Sequence, residues 1–149
     1  MSIRFPLQVV KSITNTATTG TTNYDFFLPQ DCDSVVVKLY TGTFTGTSPT
    51  INVFVQTSDD GGTTWYDLAH FAQLVAEVTK QNANWVTLGV SNKSSNASVA
   101  GGSTLAVGLV SPIGILSRNM RVSCLVGGTQ VVNTGIEIRV YANSQSRAA

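Results

Sequence analysis

The segment 58–65 holds the densest group of side chains whose types and spacing suggest a defined chemistry. Its motif positions are Ser58, Asp60, Gly62, Thr64 and Trp65. The carboxylate of Asp60 can accept hydrogen bonds from backbone N–H groups of the same turn. Gly61 or Gly62 can adopt a positive φ without steric cost, and the ring of Trp65 can fold back over the turn. The pattern therefore predicts a tight β-connection, in which these residues form a structural turn motif.

This spacing is that of an Asp-box and resembles the boxes of sialidases and other β-propeller proteins. In those families the box is a folding device and is not the catalytic site. A propeller needs about four or more blades of four strands each. That is more chain than the 149 residues here provide, and they contain only one box. The motif therefore indicates a locked hairpin, and we predict that the protein is not an enzyme.

Other potentially reactive groups are isolated in the sequence. His70 is the sole histidine, so no histidine cluster can hold a metal ion, and no G-x-S-x-G nucleophile motif occurs. The aspartates with oxygen ligands suited to calcium are Asp31, Asp33, Asp59 and Asp60. Their spacing is not that of a calcium loop, so solvated turn acids are expected. We predict no catalytic residue, no metal site and no cofactor.

Composition and charge exclude two classes of partner. Charged residues make up only 11% of the chain, and its nine basic residues are scattered. A nucleic-acid-binding surface needs clustered Lys and Arg, and no apolar run is long enough for a secretory leader or a membrane-spanning helix. We therefore expect no nucleic-acid partner, no membrane partner and folding in a cytosol. There Cys32 and Cys124 are expected to be reduced thiols, with Cys124 in the core, although a disulfide between them is left open.

Apolar and polar residues alternate with period two, which is typical of strands with one buried face. The apolar sets are Ile51, Val53 and Val55; Met120, Val122, Cys124 and Val126; and Ile136, Ile138 and Val140. The run 35–40 predicts a fourth strand, buried on both faces. Weaker strand candidates are 7–13, 24–28, 85–90 and 104–110. Arg121, Arg139, Glu137 and Lys38 fall at outward positions and predict a cross-strand charge ladder or a face toward a neighbouring subunit.

Clusters of Gly, Thr, Ser and Asn separate these runs and predict turns or loops. The clusters are 18–23, 41–49, 91–103 and 127–130, the last resembling a hairpin connection. In 66–81 the apolar spacing is compatible with a helix or with a strand. The strand is preferred because periodicity over a short segment is ambiguous. The whole pattern predicts an all-β fold, an antiparallel β-sandwich or jelly roll, as a single domain over 1–149. The ends 1–6 and 143–149 are expected to be extended, flexible arms.

Two stretches resemble small structural proteins of tailed bacteriophage virions. In the first, a Gly-Thr-Ser-Pro-Thr segment at 46–50 leads into an alternating strand that ends Val-Gln-Thr-Ser, followed by the Asp-box-like turn and Trp65. His70-Phe71-Ala72-Gln73 follows and is similar to the segment that often comes next in those proteins. The second is Met120-Arg121-Val122-Ser123-Cys124-Leu125-Val126-Gly127-Gly128, which resembles their terminal strands.

The resemblance covers about a third of the chain and implies a β-sandwich capsid decoration (cement) protein. Its implied partner is the major capsid protein, and its implied state is a homotrimer on the outer capsid surface of a virion assembled in the bacterial host cytoplasm. A tail, head-completion or fibre-associated protein has the same sequence features. A carbohydrate-binding module is a further alternative, with five candidate aromatic residues: Trp65, Tyr66, Trp85, Tyr40 and Tyr141.

Overall fold

The computed structural model describes residues 8–17, 19–30, 32–42, 44–75, 84–89, 117–133 and 135–144. In these ranges the chain forms nine β-strands. They are β1 (Gln8–Asn15), β2 (Gly20–Phe27), β3 (Cys32–Thr41), β4 (Phe44–Ser58), β5 (Tyr66–His70), β6 (Leu74–Val75), β7 (Asn84–Gly89), β8 (Asn119–Asn133) and β9 (Ile136–Ser144). No helix in the described part of the chain is long and apolar enough to span a membrane.

The strands form two antiparallel sheets that pack face to face around one apolar core. The first sheet has the order β1-β9-β3-β7. The second has the order β2-β8-β4-β5, with β6 also paired to β4. Buried aliphatic side chains from both sheets, such as Val37, Val53, Val122 and Ile138, belong to a single cluster. The predicted all-β sandwich is confirmed.

The two central strand pairs form one continuous ribbon that bends from the first sheet into the second. β3 pairs with β9 as far as Thr41 opposite Ile136, and β4 pairs with β8 from Phe44 opposite Asn133 onward. The Gly42 N–H donates to the Gly135 carbonyl at 2.9 Å and carries the ladder across the bend. The four strands therefore form one antiparallel ribbon, which contributes two central strands to each sheet.

Gly135 permits this bend because it lies buried at the corner with a φ of +108°. That backbone conformation is unfavourable for any residue with a Cβ. A Cβ there would also lie 3.2 Å from Cγ2 of Thr14 and 3.4 Å from Cγ2 of Thr16. The glycine is therefore required by its backbone conformation, and a Cβ would in addition have to displace the Thr14 methyl group slightly.

The remaining strands flank this bent ribbon on its two sides. β1 pairs with β9 in the first sheet, β2 pairs with β8 in the second, and β1 and β2 contact each other. On the opposite side β7 pairs with β3, while β5 and β6 pair with β4. The sandwich is thus equivalent to a sheet folded across its middle.

The structure corrects two sequence predictions about single strands. In β3, Val35, Val37 and Leu39 are fully buried while the intervening residues are half-buried, so the prediction that 35–40 is buried on both faces was wrong. The predicted C-terminal arm, 143–149, begins too early because β9 continues to Ser144. In 66–81 the described residues form strands β5 and β6. The predicted arm 1–6, loop 91–103 and strand 104–110 lie outside the described residues.

Two predicted turns are instead parts of long strands that pair with each other, and residues 20–23 of a third, 18–23, belong to β2. Most of the predicted turn 41–49 belongs to β4, and the predicted hairpin connection 127–130 lies within β8. Bulges between Thr45 and Gly46 and between Thr47 and Thr50 absorb the irregular residues. Glycine-rich sequence here marks bulges in a continuing ladder, which have the same composition as turns.

Candidate functional site

The predicted turn motif forms a closed hydrogen-bond network between β4 and β5. The Asp60 carboxylate accepts bonds at Oδ1 from the backbone N–H groups of Thr63 (3.0 Å) and Thr64 (2.7 Å). The Ser58 hydroxyl donates to the same oxygen at 2.8 Å and accepts from the Gly62 N–H at 2.8 Å. These hydrogen bonds, chiefly those from Thr64 and Ser58, lower the pKa of Asp60 from 3.8 to about 2.

Two glycines let the turn close, and Trp65 lies against it. Gly61 and Gly62 have φ values of +74° and +96°. The indole Nε1–H of Trp65 donates to the Gly62 carbonyl at 3.0 Å. A Cβ on Gly62 would stand 3.4 Å from Cζ2 of the same ring. All five motif residues thus take part in one compact turn, and their polar groups bond mainly to one another.

Arg121 connects this turn to two further strands, and motif spacing did not indicate it. Its guanidinium carbon lies 3.9 Å from the centroid of the Trp65 ring. The same guanidinium donates to both carboxylate oxygens of Asp25, at 2.6 and 3.2 Å. Asp25 and Gln56 lie opposite Arg121 on either side in the sheet register. The turn, β8 and β2 are therefore joined by one cation–π and ion-pair relay, which only the strand register could have revealed.

Next to this relay, the second sheet carries a small buried layer on the face turned away from the core. Phe54 is 1% exposed, and its ring stacks on His70 with centroids 3.9 Å apart. His70 Nε2 lies 3.1 Å from Asn52 Oδ1, so the pair forms a hydrogen bond in the tautomer with hydrogen on Nε2. The sequence suggested His70 as a partly buried packing residue, and the stacking gives it that role.

A buried carboxylate lies on the same face. Gln56 Nε2 donates to Asp67 Oδ1 at 2.7 Å, and both side chains are nearly inaccessible to solvent. Buried polar groups of this kind are stable only when hydrogen-bonded. Within the described ranges, no three His, Cys, Asp or Glu side chains lie together as metal ligands. The arrangement orders β4 against β5 and offers no solvent-exposed nucleophile or base.

The outer face of the first sheet carries three of the four charges of the predicted ladder in a mixed row with tyrosines, whereas the fourth, Arg121, lies in β8 of the second sheet. Lys38 lies opposite Arg139, and Tyr40 lies opposite Glu137. Arg139 donates to Glu137 at 2.6 Å, and its guanidinium lies 5.0 Å from the Tyr40 ring centroid. The Lys38 ammonium lies 5.6 Å from the ring centroid of Tyr141. The face is thus a cross-strand array in which each of these cations has an aromatic neighbour.

This pairing bears on the aromatic residues considered for sugar binding. The rings of Trp65, Tyr40 and Tyr141 each have a cation close to one face. Tyr66 is half-buried in β5. The side chain of Trp85 lies outside the described residues, although its backbone pairs with Lys38 in β7. These contacts reduce the ring surface available to stack on a sugar.

The two cysteines lie in different environments and are not disulfide-bonded to each other. Cys124 is completely buried in the core, and burial raises the pKa of its thiol to about 12. Cys32 is half-buried at the start of β3, and its thiol donates to the Ser34 carbonyl at 3.2 Å. The structure therefore agrees with the expectation that both cysteines are reduced thiols and that Cys124 lies in the core.

Comparison with known proteins adds no assignment. No protein-family model matches the chain, and no curated protein matches its sequence. Function is therefore argued from the geometry of the molecule and from the resemblance in its sequence.

Proposed function

We propose that the chain is a structural protein of a tailed-bacteriophage virion that decorates the outer capsid surface. It binds the major capsid protein and reinforces the contacts between capsid subunits. The observation that carries this proposal is that the two stretches that resemble virion proteins lie side by side in the structure. They form the two sides of a single β4–β8 ladder.

The two stretches contact each other at the Ser-Pro segment of β4 and the Gly-Gly segment of β8. Thr47 lies opposite Thr129 and Thr50 lies opposite Gly127, which places Ser48 and Pro49 against Gly128. Each stretch supplies the residues that the other requires, so they support the proposal as one three-dimensional feature.

The polar groups of the described surface also favour a mechanical role. The Asp-box-like turn bonds within itself, the Trp65 ring lies beside Arg121, and Arg139 bonds to Glu137. With only 11% charged residues, the protein has little charge repulsion to overcome when copies pack closely. A rigid sandwich bound in many copies stabilises the shell by mass action and avidity.

The test uses particles of a phage whose genome lacks the gene for this chain. Purified full-length chain is added to heads and, separately, to tails, and bound protein is measured by co-sedimentation. Saturable binding to heads, with later release of DNA on heating, is the result expected of a decoration protein. Binding to tails alone would transfer the chain to the tail or fibre class. No binding to either particle, together with absence of the chain from wild-type virions by mass spectrometry, would refute a virion role.

A further inference from the structure

β2 is an edge strand of unusual regularity. It pairs only with β8 among the described strands. All eight of its residues are in register, from Gly20 opposite Val126 to Phe27 opposite Asn119, with no bulge. An unbroken edge of this length presents a row of backbone N–H and C=O groups to any strand that approaches it.

The side chains of β2 do little to block such an approach. The outward-facing residues Thr21, Asn23, Asp25 and Phe27 are all exposed, and Phe27 is 69% exposed. Asp25 is the one ionised side chain in the strand, and Arg121 already pairs with its carboxylate. The edge is therefore nearly neutral and ends in an exposed aromatic ring.

Two of the other edge strands carry features that oppose pairing, whereas the edge strand β7 pairs with β3 without a bulge. β1 has a bulge between Val9 and Lys11 and places a lysine there. β5 has only five residues and is bulged at Leu68, which lies between the partners of Val55 and Gln56. Bulges, lysines and short length are the usual protections of sheet edges. Of the edges whose side chains are described, β2 alone lacks all three.

We propose that β2 is a homodimer interface, where β2 of a second copy pairs with it antiparallel across a two-fold axis. The second sheets of the two copies then join into one continuous sheet. β1 lies beside β2 at the same edge of the sandwich, and its Val9 is 59% exposed, so the interface gains apolar area next to the new strand pair.

The polar side chains of β2 favour a second copy as the occupant, because they can pair with their own copies without opposing like charges. When the two-fold axis passes through Asn23, Asp25 faces Thr21 of the other copy, and when it passes through Tyr24, Asp25 faces Asn23. Neither register opposes two carboxylates; the first also sets Asn23 opposite Asn23, and these polar pairs can hydrogen-bond across the strands. A register centred on Asp25 opposes like charges and is excluded.

This inference goes beyond the proposed virion role and does not depend on it. A two-fold interface makes a dimer, whereas the resemblance to decoration proteins implies a trimer. The mass of the free protein in solution separates the two states, whatever particle the protein binds.

The first experiment measures the mass of the full chain by light scattering from about 10 µM to about 1 mM. It compares the wild type with Thr22→Pro, Asn23→Pro and the matched control Asn23→Thr. Backbone N–H groups alternate between the two sides of a strand, so one proline removes a bond to β8 and the other blocks only the open edge. The proline variant that keeps the wild-type melting temperature is expected to dimerise at least about tenfold more weakly. Asn23→Thr remains dimeric.

Hydrogen exchange of the wild-type protein tests the same interface without a substitution. Amides of Gly20–Phe27 are expected to exchange faster when the dimer is diluted, while those of the buried strand Cys32–Thr41 keep their rate. A wild-type monomer at about 1 mM, equal exchange of β2 at both concentrations, or a well-folded proline variant with the wild-type mass would each overturn the proposal.

Discussion

The Ser48 carbonyl group occupies the space that a side chain on Gly128 would need. A Cβ at position 128 would lie 2.8 Å from the Ser48 carbonyl carbon and 3.0 Å from Cα of Pro49. Both residues also have left-handed backbones, with φ of +48° at Ser48 and +71° at Gly128. The bulge in β4 and the glycine in β8 therefore depend on each other.

Replacing Gly128 with alanine should destabilise the fold strongly, because the new Cβ meets main-chain atoms that cannot rotate away. We expect Gly128→Ala to lower the free energy of unfolding by about 3 kcal/mol or more, measured by chemical denaturation. Gly20→Ala is the matched control, since Gly20 has a φ of +83° and nothing within 4 Å of a Cβ. Alanine at position 20 should cost only about 1 kcal/mol, because of the unfavourable backbone conformation. Equal losses in the two variants would contradict the role of the Ser48 contact.

The turn carboxylate should contribute to stability in acid. The pKa of Asp60 falls from 3.8 to about 2 in the folded protein, so the ionised form favours folding. This stabilisation is fully present above the ordinary pKa and is lost as the pH falls through the folded value. Asp60→Asn should therefore flatten the pH dependence of unfolding between those two values, measured by thermal melts.

The adjacent exposed carboxylate provides the control for that experiment. Asp59→Asn removes one negative charge from the same turn without removing the bonds that Asp60 accepts. We expect its acid unfolding profile to follow the wild type. A profile that changes equally in both variants would show that net charge, and not the turn network, controls the acid response.

The relay through Arg121 should stabilise more than the exposed ion pair of the first sheet. The Arg121 side chain is 20% exposed and stacks on Trp65, whereas that of Arg139 is 42% exposed. We expect Arg121→Ala to cost about 1–2 kcal/mol in unfolding free energy and Arg139→Ala less than about 1 kcal/mol. Arg121→Ala should also shift the tryptophan fluorescence. The reverse order of the two costs would contradict the proposed relay.

The two thiols should differ in reactivity. Cys124 is buried and its pKa is about 12, so almost no thiolate forms near neutral pH. A disulfide-exchange reagent should label Cys32 in the native protein and reach Cys124 only after unfolding. Cys32→Ser should abolish the native reaction. Rapid labelling of that variant would show that the core around Cys124 opens more readily than the packing indicates.

Side-chain alternation was sufficient to predict the sandwich but not its connections. Ile51, Val53 and Val55 all lie in the core, because a period of two can satisfy only one face of a strand. The same alternation predicts that Phe54 faces outward, and the structure places it there but buried under His70. His70 covers Phe54 because the two residues lie opposite each other in the sheet register, although they are separated in sequence. Local pattern contains no information about such a partner.

Glycine-rich segments were the main source of error for the same reason. Gly127 and Gly128 have the composition of a hairpin turn, and only the strand opposite them reveals a bulge. The turn motif around Asp60 was predictable because its hydrogen bonds join residues within the short segment 58–65. The contacts of Arg121 could not be predicted, since its partners Asp25 and Trp65 come from other parts of the chain.

The bent ribbon also sets the order in which the molecule can form. Its strands β4 and β8 meet at Ser58 and Asn119, and every residue between those two positions must be looped out before the first central pair closes. Closing such a loop costs chain entropy that local contacts do not repay, and folds dominated by distant pairings form slowly. We expect folding to be limited by this closure, with the bend at Gly42 and Gly135 forming after it. Until then the side of the β4 segment that faces β8 remains unpaired and prone to aggregation, and this risk is expected to end only when the segment 119–133 has been made and has paired with β4.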